Sequence, residues 1–128
     1  YKIADIGISL SVYDQCPYSL LEMMANGIPL IMTRINGLDE LLSDEECVFI
    51  NPVISSEGDI SFSIEEITDS ILSLAADKER RIRLAAKSYE TYMKRFTAAG
   101  MAESMHKLFY SLLKQRKPVA ENETSQGR

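Results

Sequence analysis

Residues 28–33 have the sequence Ile-Pro-Leu-Ile-Met-Thr, and this nearly all-apolar run decides the fold. A strand with one face in water alternates polar and apolar residues, whereas a continuous apolar run is typical of a parallel strand that is covered on both faces. The run therefore predicts a buried parallel strand with a neighbour on each side.

A helix and another strand precede this run. Pro17 suits the first position of a helix, where its missing N–H costs nothing, and Gly27 suits a left-handed cap at the other end. Between them the apolar residues recur at helical spacing. Residues 5–10 alternate apolar and small side chains, which predicts a short strand. Residues 11–16 have no period and predict a loop.

A short helix and a third strand are predicted after the run. Gly37 begins a segment with three leucines at positions 38, 41 and 42, and residues 47–50 form another brief apolar strand. The serines, glycine and acids of residues 52–61 predict a loop.

Three helices follow. Ser63 and Glu66 have the spacing of a capping box, which predicts a helix over residues 64–76. A second helix extends to about Arg95, and a third, from Thr97 to Lys117, carries Met101 and Met105, which we expect to fill a core. Residues 118–128 lack apolar side chains and are predicted to be disordered.

The order of these elements predicts an α/β fold. Strand, helix, strand, helix, strand and then helices form the C-terminal part of a Rossmann-like parallel-sheet domain. With 128 residues, the chain is long enough for one core, and we expect residues 1–117 to be one partial domain. Because three strands make a small sheet, we expect further strands upstream or in a partner.

Composition excludes several classes of protein. The longest apolar run is about six residues, which is too short to span a bilayer. Cys16, Cys47 and the single His106 have no metal-ligand or disulfide spacing, so we expect no metal and a reducing, cytoplasmic compartment. Residues 1–6 do not have the pattern of a secretory leader, so we expect none in the sequence as given.

Charge is distributed unevenly along the chain. Residues 1–77 contain two bases against fourteen acids, and residues 78–128 contain twelve bases against five acids. The basic stretch 78–87 includes acids and apolar residues at helical spacing, which favours a solvated helix face over a nucleic-acid site. A peripheral contact with anionic lipid is the alternative interpretation.

The loop before Pro17 and the helix that begins there predict a ligand site. Ligands of open α/β sheets bind beyond the carboxyl ends of the strands, and a helix start offers unpaired N–H groups to a phosphate. Ser19, Glu22 and Asn26 share the polar face of this helix. A carboxylate there can accept two hydrogen bonds from the vicinal hydroxyls of a ribose.

Several segments share the pattern of a known family. Ala4-Asp5 precedes the first strand, Asp14 and Glu22 have an E-x₇-E spacing, and residues 35–41 are similar to a Gly-Gly-x-x-Glu segment. The helix continues as Met23-Met24-Ala25-Asn26-Gly27-Ile28-Pro29. Together these motifs resemble the C-terminal domain of the large retaining nucleotide-sugar glycosyltransferases of GT-B fold, the group 1 family. The likeness extends from Tyr1 to about Leu113.

The resemblance implies a role for each matching residue. Glu22 matches the glutamate that binds the ribose hydroxyls of the donor, and Asp14 matches the glutamate close to the donor sugar. Asp14 is one methylene shorter, and a turn residue is the alternative interpretation. Tyr18 and Ser19 match positions whose backbone N–H groups approach the donor phosphates. Where the family often has Gly-Phe-Gly, this chain has Cys16-Pro17-Tyr18, and the proline removes one donor.

The resemblance also implies the reaction and its partners. A sugar passes from a UDP- or GDP-linked donor to a carbohydrate or lipid-linked acceptor, as in polysaccharide biosynthesis, with retention and without metal or cofactor. The cation for the departing diphosphate and the acceptor groups come from outside this chain, including an N-terminal domain. Arg34 is the base in the middle of the acidic half, and its position after a strand argues against it as a substitute.

The sequence also bears on the cellular location of the protein and on its functional class. We expect a cytoplasmic protein, with peripheral contact to the inner face of a membrane as an option, and no nucleic-acid partner. A sugar-nucleotide epimerase-like enzyme would share the ribose carboxylate, and a non-catalytic α/β interaction module would use the acidic face instead.

Overall fold

The computed structural model describes residues 1–13, 16–35 and 37–115. The chain forms two compact units, residues 1–97 and a unit that begins at Ala98. In chain order the elements are β1 (Gly7–Ser9), α1 (Tyr18–Ala25), β2 (Leu30–Thr33), a 3-10 helix (Leu38–Glu40), β3 (Val48–Ile50), β4 (Val53–Ile54), β5 (Ile60–Ser61), α2 (Ile64–Ala76), α3 (Lys78–Arg95) and α4 (Ala98–Gln115).

The strand β2 lies at the centre of a three-stranded parallel sheet with the order β1-β2-β3. All four of its residues are buried. Ile31 lies between Ile8 and Val48 in the register, and Met32 lies between Ser9 and Phe49. The predicted buried parallel strand with two neighbours is therefore confirmed, and each of the three strands of this sheet falls inside its predicted range.

Helices cover both faces of this sheet, and alternate residues of β2 point to opposite sides. Leu30 and Met32 belong to one apolar cluster with α1 and the 3-10 helix, whereas Ile31 packs with Leu74 of α2 and Leu84 of α3. The far end of α3 packs against the first cluster through Tyr92 and Phe96. The predicted α/β class, with a parallel sheet and C-terminal helices, is confirmed.

The end of α1 shows why the sequence places the strand where it does. Gly27 has a φ of 63°, which is a left-handed conformation, and its N–H donates to the Met24 carbonyl at 3.0 Å. The next N–H, of Ile28, donates to the Met23 carbonyl at 3.0 Å. This pair of bonds is a Schellman motif, which ends the helix and turns the chain toward β2.

The predicted loop over residues 52–61 is wrong in part. Val53 and Ile54 pair antiparallel with Ser61 and Ile60, so the segment is a short hairpin. Its turn is closed by the Ser55 N–H, which donates to the Asp59 carbonyl at 2.9 Å, and the Ser55 hydroxyl also accepts from turn amides. The polar residues that indicated a loop form the turn, and the β-branched residues on either side form the strands.

The helix α2 has the predicted bounds, but its capping box is half formed. The Ser63 hydroxyl accepts from the Glu66 N–H at 3.1 Å, as predicted. The Glu66 carboxylate accepts from the backbone and side-chain nitrogens of Asn51, at 3.2 and 3.4 Å. Glu66 therefore fixes the start of α2 to the end of β3.

A polar network attaches α3 to the segment between β2 and β3. The Glu46 carboxylate accepts from the Thr91 hydroxyl and from the backbone N–H and hydroxyl of Ser43, the latter two at 2.7 Å each. The Arg95 guanidinium donates to the carbonyls of Glu40 and Leu41 at 3.0 and 3.2 Å. Burial raises the pKa of Glu46, but these hydrogen bonds and the Arg95 charge outweigh it, so its pKa lies below the usual value.

The helix α4 forms the described part of the second unit. Within it, Lys107 pairs with Glu103 at 2.7 Å, and the His106 and Tyr110 rings stack with 6.3 Å between centroids. The expectation that Met101 and Met105 fill a core is wrong in this chain, because they are 60% and 46% exposed. The predicted domain end at 117 and the predicted tail 118–128 lie outside the described residues.

None of the described helices is a candidate for a membrane-spanning segment. Each of them is too short or too polar to traverse a bilayer.

Replacing Gly7 with valine should destabilise the sheet. A Cβ at Gly7 would lie 2.4 Å from the Met23 sulfur and 2.9 Å from a Leu30 methyl carbon, so these two buried side chains would have to move. We expect Gly7→Val to lower the free energy of unfolding by about 1–3 kcal/mol, measured by urea denaturation. In a Met23→Ala background the same change should cost less, because the shortened side chain makes room. Equal costs in both backgrounds would contradict this packing.

Replacing Glu46 with glutamine should remove a pH-dependent part of the stability. Because the pKa of Glu46 is lowered by folding, its stabilisation is complete above the ordinary value of 4.5 and is lost as the pH falls through the lower folded value. We expect Glu46→Gln to cost about 1 kcal/mol at pH 7, since the network is partly exposed. The difference from the parent should shrink in urea denaturation below pH 4.5, whereas the exposed control Glu57→Gln should change little at either pH.

Candidate functional site

The carboxyl ends of the parallel strands β1, β2 and β3 meet at one edge of the sheet. The buried Thr33, at the end of β2, donates its hydroxyl to the Ser11 carbonyl at 2.7 Å. This bond fixes the first part of the loop after β1 to the end of the central strand. The beginning of this loop, at Ser11, therefore has a defined position.

The start of α1 offers backbone N–H groups at this edge. Pro17 is the N-cap, with an extended conformation, and no side chain in the described part of the chain caps the helix. The Leu20 and Leu21 amides donate to the Pro17 carbonyl, at 3.0 and 3.4 Å. The amides of Tyr18 and Ser19 precede these bonds, so they belong to the helix-start groups that can bind an anion.

The side chains of Tyr18 and Ser19 are exposed, with the tyrosine at 81%. Sequence reasoning assigned these residues a role through their backbone groups, and their positions at the first two residues of α1 agree with that geometry. Their contact with a phosphate stays a prediction.

Glu22 lies in the second turn of α1 with an exposed side chain. One of its carboxylate oxygens, Oε2, accepts from the Tyr1 hydroxyl at 2.6 Å. Its carbonyl accepts from the Asn26 side-chain amide at 2.7 Å. The predicted polar face of α1 is therefore present, with Glu22 held from one side by the segment before β1 and from the other by the helix end.

The partnership with Glu22 affects Tyr1. The hydrogen bond to the carboxylate, slight desolvation and the negative charge together raise the pKa of the Tyr1 phenol above its ordinary value of 10.0. Tyr1 therefore remains a hydrogen-bond donor throughout the physiological pH range. No sequence signal indicated this contact, because the two residues are 21 positions apart and belong to no shared motif.

Asp14, the other predicted carboxylate, lies outside the described residues. Its assigned position near a donor sugar, and the alternative of a turn residue, both stay predictions. Tyr13 and Cys16, on either side of the gap in the description, are exposed.

Arg34 follows β2 at the same edge and is engaged by its neighbours. Its guanidinium forms an ion pair with Asp44 and lies over the Phe49 ring, with 4.0 Å to the centroid. A cation–π contact of this kind and the ion pair both hold the side chain toward the segment before β3. This arrangement gives a physical reason for the expectation that Arg34 is not the leaving-group cation.

The cysteines show no catalytic arrangement in the described residues. Cys47 is buried, and desolvation, with Asp44 and Glu46 nearby, raises its pKa to about 12, so its thiol stays protonated. The described residues also contain no group of three or more histidine, cysteine or acidic side chains that could hold a metal ion.

A parallel three-stranded sheet with helices on both faces defines an α/β domain of the Rossmann-like class. The sequence model described as "Glycosyl transferases group 1" matches residues 1–91. The chain belongs to that family, and the resemblance drawn from its motifs is confirmed.

One curated protein and one solved structure show how much of a longer protein this chain matches. It is 23% identical over 115 residues to the N-acetyl-alpha-D-glucosaminyl L-malate synthase of Bacillus anthracis. This alignment covers 90% of this chain and 28% of that protein. It also superimposes on the sucrose-phosphate synthase of Thermosynechococcus elongatus with a TM-score of 0.73 and 20% identity. That match covers 88% of this chain and 26% of the other, and it shows the fold alone. The chain thus spans about a quarter of each relative's length.

Proposed function

We propose that this chain supplies part of the donor site of a retaining glycosyltransferase, which moves a sugar from a UDP- or GDP-linked donor to an acceptor hydroxyl. One observation carries the proposal: α1 has first-turn backbone amides at its start, of the kind that suits an anion, and an exposed carboxylate one turn later. Glu22 lies four positions after Tyr18, which is about 6 Å along a helix axis. That spacing suits a ligand with phosphate and vicinal hydroxyls at its two ends.

In the proposed complex, each group of α1 has one task. The Glu22 carboxylate accepts from the two ribose hydroxyls, and the Tyr18 and Ser19 amides donate to the diphosphate. Because negative charge grows on the diphosphate as it departs, donors aimed at it stabilise the transition state more than the ground state. Asp14, if its family role holds, acts beside the donor sugar.

The charge of this chain supports the proposal that other parts of the protein supply the cationic groups of the site. Residues 1–77 carry two bases against fourteen acids, and one of those bases, Arg34, is paired with Asp44. An acidic surface repels a diphosphate, so we propose that the leaving-group cation and the acceptor site lie in the part of the protein beyond this chain.

The acceptor class in this proposal is a carbohydrate or a lipid-linked hydroxyl, as in polysaccharide biosynthesis in the cytoplasm. The name of the Bacillus relative states a glucosaminyl product with L-malate. That name supports sugar transfer as the class of reaction and leaves the acceptor of this protein to experiment.

Calorimetry on the full-length protein tests the carboxylate directly. We expect Glu22→Gln to weaken binding of UDP or GDP by about 1.5–3 kcal/mol, because hydrogen bonds to a charged group are lost. The parent should prefer the ribonucleotide over its 2′-deoxy counterpart, and the variant should have little preference. Glu79→Gln, which alters an exposed carboxylate in the first turn of α3, is the matched control and should bind like the parent.

Two outcomes would count against the proposal. If Glu22→Gln binds both nucleotides as the parent does, the ribose contact is absent. In the second outcome, the parent prefers the ribonucleotide and Glu22→Gln loses that preference, but the parent neither hydrolyses nor transfers the sugar of any UDP or GDP sugar. An epimerase-like or non-catalytic protein then fits better.

A further inference from the structure

The contact between Tyr1 and Glu22 joins two segments that the sequence keeps far apart. The Tyr1 hydroxyl donates to Glu22 Oε2 at 2.6 Å, a short bond of the kind formed with a charged acceptor. Both side chains are exposed, with Tyr1 at 51%. An exposed pair of this sort adds little to folding stability, because water competes for both groups. The main effect of this hydrogen bond is therefore on the orientation of the Glu22 carboxylate.

The main chain behind each partner is held in place. A turn closed by the Ala4 N–H, which donates to the Tyr1 carbonyl at 3.0 Å, fixes the backbone of Tyr1. Glu22 belongs to α1, and the Asn26 side chain binds its carbonyl. The two anchored backbones leave the side chains as the adjustable part, and the hydrogen bond between them sets their orientation.

A carboxylate has enough acceptor positions for a ligand and for Tyr1 together. Its two oxygens offer about four lone-pair positions, of which the phenol takes one on Oε2. Oε1 and the second position on Oε2 remain for the two hydroxyls of a vicinal diol. Tyr1 therefore need not leave when a diol binds, and its bond fixes the plane in which the diol must lie.

We propose that Tyr1 is a positioning residue, whose hydroxyl holds the Glu22 carboxylate in the orientation that receives the vicinal diol of the donor nucleoside. The inference rests on the proposed function of Glu22. A glutamate side chain has three rotatable bonds, and a ligand that must immobilise them binds less tightly. The bond to Tyr1 restricts them in advance for as long as it is formed. The raised pKa of Tyr1 keeps its hydroxyl protonated.

The test uses Tyr1→Phe in the full-length protein, with UDP, GDP and their 2′-deoxy counterparts as probes in calorimetry. We expect the Kd for the preferred ribonucleotide to rise about 2- to 10-fold, because one immobilised side chain is freed. Binding of the deoxy nucleotide should change less. In sugar transfer, KM should rise with kcat nearly unchanged, because the positioned group binds ground state and transition state alike.

Two further variants separate positioning from other effects. In a Glu22→Gln background, Tyr1→Phe should have little effect on Kd, because the group it positions is altered. Tyr89→Phe, which alters a partly exposed tyrosine on α3, should bind like the parent. If Tyr1→Phe is partly unfolded, the ratio of the two nucleotide affinities still reports on the site, because the ratio does not depend on the folded fraction.

The results that overturn the inference differ from those that overturn the proposed function. A Tyr1→Phe protein with the parent's affinities and preference shows that the hydroxyl does not position the carboxylate. An equal loss in the parent and in the Glu22→Gln background shows that Tyr1 acts elsewhere. If Glu22→Gln itself changes nothing, the ribose role of Glu22 fails first, and the positioning role fails with it.

Discussion

Burial of β2 on both faces is the constraint on which the rest of this structure depends. A strand inside a sheet must pair its backbone groups on both sides, and here β1 and β3 do so in parallel. Parallel neighbours require crossover segments. Here α1 connects β1 to β2, the segment with the 3-10 helix connects β2 to β3, and both pack on one face of the sheet. The helix α2 follows β3 and packs on the other face. The parallel arrangement brings three strand ends to one edge. The Thr33 hydroxyl then attaches the loop after β1 to that edge.

The sequence predicts the parts of the fold that local chemistry determines. The apolar run 28–33, the helix that ends at Gly27 and the capping serine at position 63 all lie where their physical roles require. Each signal is contained within a few residues. The family motifs predict where a ligand would bind, because they fall on the same loop and helix.

Contacts between distant segments could not be predicted in this way. The hairpin over residues 53–61 was not predicted, because its polar turn contains more residues than its two strands together. The partners of Glu66, Arg34 and Glu22 lie 15, 10 and 21 positions away, and none follows from spacing or composition. These partners decide which charged groups remain available to a ligand. Arg34 is held by Asp44, whereas Glu22 stays exposed with one oxygen engaged by Tyr1.

We propose above all that the Glu22 carboxylate receives the ribose of a donor nucleotide. The decisive measurement is a crystal structure of the full-length protein with UDP or GDP. We expect ribose hydroxyls at about 2.5–3.0 Å from the two carboxylate oxygens, with the Tyr1 hydroxyl still on Oε2 and the diphosphate at the start of α1. A nucleotide bound with its ribose away from Glu22, while that carboxylate faces water, would contradict it.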